Sequence, residues 1–213
     1  SWHHPNVHTV RQGTGKEDYI TPRDKNDDNS MYTMADAVFT ACFLSAMNRN
    51  CDIVGMANFA PILNTRGCIY SYPEGIVLRS TYHVFDLYVN YLGDTVVDLW
   101  TPDSVPCMHV TGKNGQETDV ETLDLLATTW SDRPGTALAA VNKHPSDSAA
   151  IRLSTAFEAM NVVIYRLNGS SPDSYNDVDR TEGSIRKEEL GMFRENMEIS
   201  VEPHSVNVIQ LVP

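Results

Sequence analysis

Residues 33–59 read TMADAVFTACFLSAMNRNCDIVGMANF, and this stretch decides the fold class. From about Thr33 to Asn48 it predicts a helix that is apolar on nearly every face, and such a helix is expected to be covered on most sides. An apolar run from Asp52 to Phe59 follows at once, which is typical of a parallel strand buried on both faces. A helix, a short turn and a buried strand in this order favour an α/β fold.

A second helix is predicted from Thr81 to Leu92, packed on that strand, and Gly93 is its stop signal. One strand and two helices cannot close a sheet, because a buried strand needs a hydrogen-bonded neighbour on each side. We therefore expect the neighbours to come from sequence upstream of Ser1. Residues 1–92 would then be the last segment of a larger α/β domain.

After Gly93 the sequence changes to short β-rich runs separated by Pro, Gly, Asn and Asp, the pattern of an antiparallel sandwich. The runs are DTVVDLW (94–100), TLDLLATTW (122–130), TALAAVNKH (136–144), AAIRLSTA (149–156), NVVIYRLNG (161–169) and VNVIQLV (206–212). Residues 156–161 are assigned to the same β meander, and residues 170–184 to a long polar loop. Trp100 and Trp130 lie in strand-like runs and are predicted to be core residues. We predict a domain boundary near residue 93, with a β-sandwich at 93–213.

The overall charge limits the partners. The formal net charge is −12 and no basic cluster is visible, which argues against a nucleic-acid partner or an anionic membrane surface. No stretch reaches the roughly 20 apolar residues of a membrane helix. The four cysteines are irregularly spaced, so free thiols are favoured over a disulfide framework, and this mildly favours a reducing compartment such as the cytoplasm.

The first residues, SWHHPNVH, invite a metal hypothesis through His3, His4 and His8. No second cluster with ligand spacing follows, and Pro5 prevents the helical placement that pairs two imidazoles on one metal. We therefore expect no metal site and no cofactor. Residues 11–31 are polar and rich in turn formers, and they predict a long loop.

Five segments carry a family resemblance in one consistent order from about Met34 to the C-terminus. They are MANFAPILN (56–64), GIVLRSTYHVFDLYVNYLGD (75–94), AAVNKHP (139–145), SPDSYNDVDR (171–180) and PHSVNVIQL (203–211). Together they resemble the C-terminal half of the α-L-arabinofuranosidases of glycoside hydrolase family 51. The resemblance implies the end of a (β/α)8 barrel followed by a jelly-roll-like sandwich. It also implies retaining hydrolysis of terminal α-L-arabinofuranosyl residues in arabinoxylan, arabinan and oligosaccharides, and a homo-oligomer.

By this resemblance residues 53–59 form the eighth barrel strand and residues 81–92 the eighth helix. Barrel active sites lie at the carboxyl ends of the strands, so Asn58, Phe59, Pro61 and Asn64 are candidates for the sugar pocket. Pro61 stands where many relatives carry a substrate-contacting glutamine, so that contact is missing or supplied differently. From the residues alone a structural role is favoured, with Asn58 as a cap, Phe59 as core and Asn64 as a turn residue; the resemblance reverses this preference for Asn58 only.

Retaining glycosidases need two carboxylates about 5 Å apart, one as nucleophile and one as acid/base. The family places them in an Asn-Glu pair and an Asp-Glu-Trp-like run, and this sequence contains neither an Asn-Glu nor a Glu-Trp pair. Both catalytic glutamates are therefore expected upstream. Residues 1–5, SWHHP, resemble those that trail the nucleophile, which places Trp2 and His3 or His4 at the pocket rim.

The isolated carboxylates of the chain are expected to be solvated or paired rather than catalytic. They are Asp36, Glu74, Asp86, Asp173, Asp177 and Asp179. Asp177 and Asp179 beside Arg180 suggest a structural ion pair or, less readily, a Ca²⁺ site. A second hypothesis for the whole chain is a non-catalytic carbohydrate-binding or assembly module based on the sandwich. The predicted burial of both tryptophans weighs against it, because such a module needs exposed aromatic rings.

Overall fold

The computed structural model describes residues 28–73, 75–101, 105–155 and 160–213. In these ranges a 3-10 turn at Asn29–Met31 precedes helix α1 (Met34–Arg49), strands β1 (Ile69–Tyr72) and β2 (Gly75–Leu78), and helix α2 (Ser80–Asn90). The remaining strands are β3 (Thr95–Val97), β4 (Cys107–Thr111), β5 (Glu117–Glu121), β6 (Leu123–Thr129), β7 (Thr136–Asn142), β8 (Ala149–Arg152), β9 (Asn161–Asn168), β10 (Ser184–Met192), β11 (Glu198–Val201) and β12 (Ser205–Val212).

A six-stranded antiparallel sheet forms the centre of the fold, in the order β10-β9-β12-β7-β6-β3. In its middle Ala139 on β7 lies opposite Val208 on β12 and Leu126 on β6. Successive side chains of a strand point to opposite faces, and here both faces are covered. This double coverage explains why β7 and β12 read as nearly continuous apolar runs.

The two helices cover one face of the sheet. Met34 and Ala41 of α1 and Leu87 of α2 are fully buried, and they pack with residues of the sheet such as Val141 and Val208. Gly93 follows α2, and a Cβ there would collide with the backbone carbonyl of Thr129 on β6. The helices and the sheet therefore share one hydrophobic core.

A two-stranded sheet, β8 with β11, covers the other face. Ile151, Ile199 and Val201 of this pair lie in a second core with Ile164 and Ile209 of the central sheet. The strands β4 and β5 form a separate hairpin, as do β1 and β2. The described part of the chain is thus layered as helices, central sheet and a small second sheet.

Helix α1 begins at a capping arrangement that the sequence encodes. Oδ2 of Asp36 accepts hydrogen bonds from the backbone N–H of Thr33, at 2.8 Å, and from the Thr33 hydroxyl, at 3.1 Å. These bonds fix the entry of the chain into the helix. Asp36 is therefore the N3 residue of a capping box with Thr33, a structural and not a catalytic role.

Both predicted helices are confirmed, within two residues at each end. The prediction that α2 packs on a strand at 52–59 is wrong, because that segment forms no strand. Helix α2 packs on α1 and the central sheet, with a contact from Phe59 to its Phe85. The expected coverage of α1 is also wrong: Phe39 and Phe43 stack on each other at 6.2 Å and are 71% and 55% exposed. One side of α1 has apolar side chains that nothing in the described ranges covers.

The prediction of a buried strand at residues 52–59 is wrong for this chain. The segment forms no strand, and Ile53 and Met56 are 78% and 76% exposed. The physical reason is that a buried strand needs a hydrogen-bonded neighbour on each side. Across the described ranges, no strand pairs with this run. Its assignment to a barrel, and the division of the chain at residue 93, stay predictions.

The predicted β-rich runs are confirmed as β3, β6, β7, β8, β9 and β12, and the predicted polar loop ends at Gly183, one residue before its predicted end. The hairpin β4–β5 and the strands β10 and β11 were not predicted, and the meander assigned to 156–161 falls mostly outside the described residues. The prediction that Trp100 is core is wrong, because its side chain is 81% exposed. Trp130 is half-buried, with the Arg133 guanidinium 4.3 Å from its ring centroid.

All four cysteines are free thiols, as predicted. Burial raises the pKa of the Cys42 thiol to about 11, so this side chain stays protonated and packs as a small apolar group against the first core. Across the described helices, none is long and apolar enough to cross a membrane.

Candidate functional site

The candidate site is a loop that begins where the exposed run ends. We call residues 58–67 the site loop. It leads from the exposed run at 52–57 to strand β1, and Leu63 forms an isolated bridge with Ile69. Of the predicted sugar-contacting residues, Trp2 and His3 lie outside the described residues, and the other four lie in this loop.

The first two residues of the site loop differ in how they are held. Asn58 is exposed, so its amide can donate and accept hydrogen bonds to a ligand. Phe59 lies edge-on against Phe85 of α2, with ring centroids 5.6 Å apart, and 36% of its surface is exposed. Phe59 thus ties the loop to α2 and still shows part of its ring to solvent. The roles of both residues in binding stay predictions.

Asn64 and Pro61 shape the loop. Asn64 has a positive φ of 49°, its backbone N–H donates to the Ile69 carbonyl at 2.8 Å, and its Oδ1 accepts from the Ser71 N–H at 2.6 Å. These features are those of a turn residue, the structural role expected for Asn64 from the residues alone. Pro61 is exposed and follows a cis peptide bond. Among the contacts of the described residues, none joins Asn58 to Asn64.

Two replacements of Asn64 distinguish the contribution of its side-chain hydrogen bond to stability from that of its positive φ. We expect Asn64→Ala to lower the free energy of unfolding by roughly 1–2 kcal/mol, because alanine loses the bond to Ser71 and tolerates positive φ poorly. Asn64→Gly loses the same bond but accepts the backbone angle, so it should cost less. Urea denaturation of both variants measures the difference, with Asn114→Ala on the β4–β5 hairpin as control. Equal losses for alanine and glycine would contradict a contribution from the backbone angle.

A buried arginine holds the far end of the site loop. Arg79, directly before α2, has no exposed surface. Its Nη1 donates to the carbonyls of Thr65, at 2.8 Å, and Gly67, at 2.6 Å. Its guanidinium carbon lies 3.9 Å from the centroid of the Tyr32 ring, and the Tyr32 hydroxyl donates to the Thr65 carbonyl at 2.8 Å. Arg79 and Tyr32 therefore form a clamp on the loop backbone: both donate to the Thr65 carbonyl, and Arg79 also donates to that of Gly67.

The same arginine connects the loop to the sandwich. Its Nε donates to Oδ1 of Asn29 at 2.8 Å, and Nδ2 of Asn29 donates to Oδ1 of Asp177 at 2.7 Å. Asn29 is itself fully buried. The chain Thr65, Arg79, Asn29, Asp177 thus fixes the site loop relative to the long polar loop of the sandwich.

Three of the carboxylates considered in the sequence, Asp36, Asp86 and Asp177, have structural partners. Asp86 accepts from Asn90 at 2.6 Å, and Asp177 accepts from Asn29. Arg180 pairs with Glu182 rather than with the aspartates beside it, and Glu74 lies outside the described residues. Within the described ranges no group of three or more His, Cys, Asp or Glu side chains could hold a metal ion.

A polar cavity of about 420 Å³ lies between β2, α2 and the loop at 176–184. His83 and Arg180 line it. Burial lowers the pKa of His83, with Asp86 opposing the shift, so this imidazole is neutral near pH 7. The cavity therefore carries one neutral ring and one arginine paired with Glu182.

Sequence reasoning missed Arg79, Tyr32 and Asn29. The signal that could have pointed to Arg79 is its position, between the apolar run at 76–78 and the first turn of α2, where a side chain is expected to face the core. A charged residue at such a position needs hydrogen-bonding partners. The partners themselves come from remote segments and leave no local pattern.

Comparison with protein families decides the kinship of the chain. The family described as the alpha-L-arabinofuranosidase C-terminal domain matches residues 2–205. The chain belongs to this family. Comparison with curated proteins yields no significant match.

Solved structures of arabinofuranosidases share the fold of this family member. It is similar to the family 51 α-L-arabinofuranosidase of Thermotoga petrophila RKU-1, with 23% identity, a TM-score of 0.75, and coverage of 90% of this chain and 40% of that one. It is also similar to the α-L-arabinofuranosidase of Thermotoga maritima, solved as an arabinose complex, with 24% identity, a TM-score of 0.73, and coverage of 90% and 40%. The chain thus spans about two fifths of these proteins.

The fold by itself does not select the substrate. A family 44 xyloglucanase from Paenibacillus polymyxa matches with 18% identity and a TM-score of 0.53, over 85% of this chain and 30% of that one. Similar architectures therefore occur in glycosidases of different families. The assignment to the arabinofuranosidase C-terminal domain family rests on the sequence match, and the structures show the shared fold.

Proposed function

We propose that this chain is the C-terminal part of a retaining α-L-arabinofuranosidase. The enzyme removes terminal non-reducing α-L-arabinofuranosyl residues from arabinoxylan, arabinan and their oligosaccharides. In the proposal both catalytic glutamates belong to an upstream barrel segment of the same protein, and residues 1–92 supply the last strand and helices of that barrel. Membership of the arabinofuranosidase C-terminal domain family supports it.

The observation that carries the proposal is an apolar run left in water. Ile53, Met56 and Ile62 are 78%, 76% and 58% exposed, although full burial of each would contribute roughly 1.5–3 kcal/mol. Phe39 and Phe43 add a second exposed apolar area on the preceding helix, α1. Large apolar side chains exposed in such numbers on neighbouring segments are typical of an interface. Flanking barrel strands would cover the run and give its backbone hydrogen-bonding partners.

The site loop then receives a chemical role. With residues 53–59 as the eighth barrel strand, Asn58 and Phe59 stand at its carboxyl end, where barrel enzymes bind substrate. The Asn58 amide would hydrogen-bond sugar hydroxyls, and the exposed edge of Phe59 would border the ring. Arg79 and Tyr32 would keep the remainder of the loop in place. Trp2 and His3 are proposed to complete the rim.

The experiment compares this chain alone with the chain joined to its upstream barrel segment, both incubated with an aryl α-L-arabinofuranoside. We expect release of the phenol only from the joined protein, with NMR of the first-formed sugar showing retained configuration. Substitution of either upstream glutamate by glutamine is the control and should abolish the turnover. Hydrolysis by the isolated chain, or a folded joined protein without activity, would overturn the proposal.

A second candidate is a non-catalytic carbohydrate-binding or assembly module. The 81% exposure of Trp100 favours it, because it removes the argument that both tryptophans are buried. Residues 93–213 without the helices are not a suitable test protein, since removing α1 and α2 would expose the first core. Oligosaccharide binding by the whole 213-residue chain, without turnover in the joined protein, would support this candidate over the enzyme.

A further inference from the structure

A groove with an exposed indole lies beside the small second sheet of the sandwich. Its cavity has a volume of about 820 Å³. Apolar side chains that include Leu138 and Ile151 line its floor, and Trp100, Arg152 and Glu198 stand among the exposed residues around it. We call this cavity the Trp100 groove. Its size and its apolar floor with a few polar groups are those of a small-molecule site.

The indole of Trp100 is the main reason to assign a ligand. An isolated exposed tryptophan on a flat surface needs no explanation, but this one is 81% exposed and lines a concave site. Its flat apolar face can cover the C–H face of a pyranose or furanose ring, and its N–H can bond a hydroxyl. A second cavity of about 350 Å³ shares Leu99, Leu138 and Leu153 with the groove, so the apolar depression is elongated.

The polar side chains of the groove match hydroxyl groups better than charges. Arg152 donates through Nε, at 3.2 Å, and Nη2, at 3.0 Å, to one oxygen of Glu198, so the two side chains lie side by side at the groove. A guanidinium has five N–H donors and a carboxylate several acceptor positions, so the pair keeps capacity for further bonds. Asn196, exposed beside it, adds an amide that both donates and accepts.

The charge balance of the groove disfavours an anionic ligand. Asp98 and Glu198 line the groove with Arg152 as its cation, and Arg152 is already paired with Glu198. The chain as a whole carries a formal net charge of −12. An anion would meet unfavourable potential here, whereas a neutral hydroxyl-rich chain would not.

We propose that the Trp100 groove is a binding site for a neutral oligosaccharide, with Trp100 as the stacking platform and Arg152, Glu198 and Asn196 as hydrogen-bonding partners. The site lies on the sandwich, outside the site loop. It requires no catalysis by the chain, so its failure and the failure of the proposed hydrolase activity are separate results.

The test titrates the 213-residue chain with linear xylo-oligosaccharides and arabino-oligosaccharides, using calorimetry and the NMR shift of the Trp100 indole N–H. We expect saturable binding that Trp100→Ala weakens roughly tenfold or more and Trp100→Phe weakens less, because phenylalanine keeps an aromatic face. Met192→Ala, at another exposed apolar side chain, is the matched control and should bind like the unchanged chain. Oligogalacturonate of equal length tests the charge argument and should bind at least tenfold more weakly.

Two results would overturn the proposal. One is the absence of saturable binding by any neutral oligosaccharide at millimolar concentrations. The other is binding that Trp100→Ala leaves unchanged while circular dichroism shows that variant folded. Because Trp100 is exposed, its replacement should not unfold the chain, so the variant remains a usable probe.

Discussion

Replacing Arg79 with methionine is expected to lower the free energy of unfolding by roughly 3–5 kcal/mol, because several hydrogen-bond acceptors around the buried guanidinium lose their donor. Methionine fills part of the volume but donates no hydrogen bond. The carbonyls of Thr65 and Gly67 and the Asn29 amide oxygen would lose the bonds that Arg79 makes. Each buried acceptor left unpaired costs about 1–3 kcal/mol, although Thr65 retains its bond from Tyr32.

Urea denaturation followed by circular dichroism measures this loss. Arg79→Lys is an informative second variant. Lysine keeps the charge but lacks the planar guanidinium that lets arginine bond Asn29 and two carbonyls at once, so it should recover only part of the stability. Arg186→Met is the matched control: Arg186 is 61% exposed, is paired with Glu202 at 3.1 Å, and should cost less than about 1 kcal/mol. A loss for Arg79→Met no larger than that of the control would mean that the clamp does not stabilise the fold.

The elements that follow from the sequence are those whose residues carry their own periodicity. The helix α2 has apolar residues at spacings of three and four, and α1 has a capping acid three residues after Thr33. The central strands β7, β9 and β12 are buried on both faces and therefore read as apolar runs. Local composition is sufficient in these cases because the burial is nearly complete.

Other elements are exposed to solvent, so apolar runs and periodicity do not predict them. Strand β10 lies at an edge of the central sheet and reads SIRKEELGM, with most of its side chains exposed. The hairpin β4–β5 has few buried residues. Edge strands are often rich in charges, which prevents unwanted pairing, so their composition resembles that of a loop. Polar strands of this kind are recognised from the strands they pair with and not from their own sequence.

Two of the wrong burial predictions, those for residues 52–59 and for Trp100, have a different origin. An apolar run predicts that a segment will be covered, but it does not say that the covering residues lie in the same chain. Residues 52–59 and Trp100 were both placed in a core on composition, and both are exposed. In our proposals each is covered by a partner: barrel strands cover residues 52–59, and an oligosaccharide covers Trp100.

The site was predictable only in part for the same reason. The position of Asn58 and Phe59 after an apolar run pointed to the site loop, and Asn64 was recognised as a possible turn residue. The residues that hold the loop, Arg79 and Asn29, lie 50 positions apart and meet only through the fold. No sequence spacing encodes that contact.

Replacing Asn58 with alanine in the protein joined to its barrel segment should lower kcat/KM for an aryl arabinofuranoside by about 10- to 100-fold. One or two hydrogen bonds to sugar hydroxyls that tighten in the transition state account for a loss of this size. Because Asn58 is exposed in this chain, the substitution should leave the stability of the isolated chain within about 0.5 kcal/mol. The activity loss therefore cannot be attributed to unfolding of this part.

The control is the same asparagine-to-alanine substitution at a position far from the site loop in the sequence. Asn114→Ala removes the same side chain from an exposed turn of the β4–β5 hairpin and should leave kcat/KM unchanged. Asn58→Asp retains the acceptor oxygens and loses the N–H donors, so a loss as large as that of alanine would identify donation as the important bond. An effect mainly on kcat would indicate a contact made in the transition state, and an effect on KM alone would indicate uniform binding. If Asn58→Ala stays within twofold of the unchanged enzyme, Asn58 makes no substrate contact and its role is that of a loop residue.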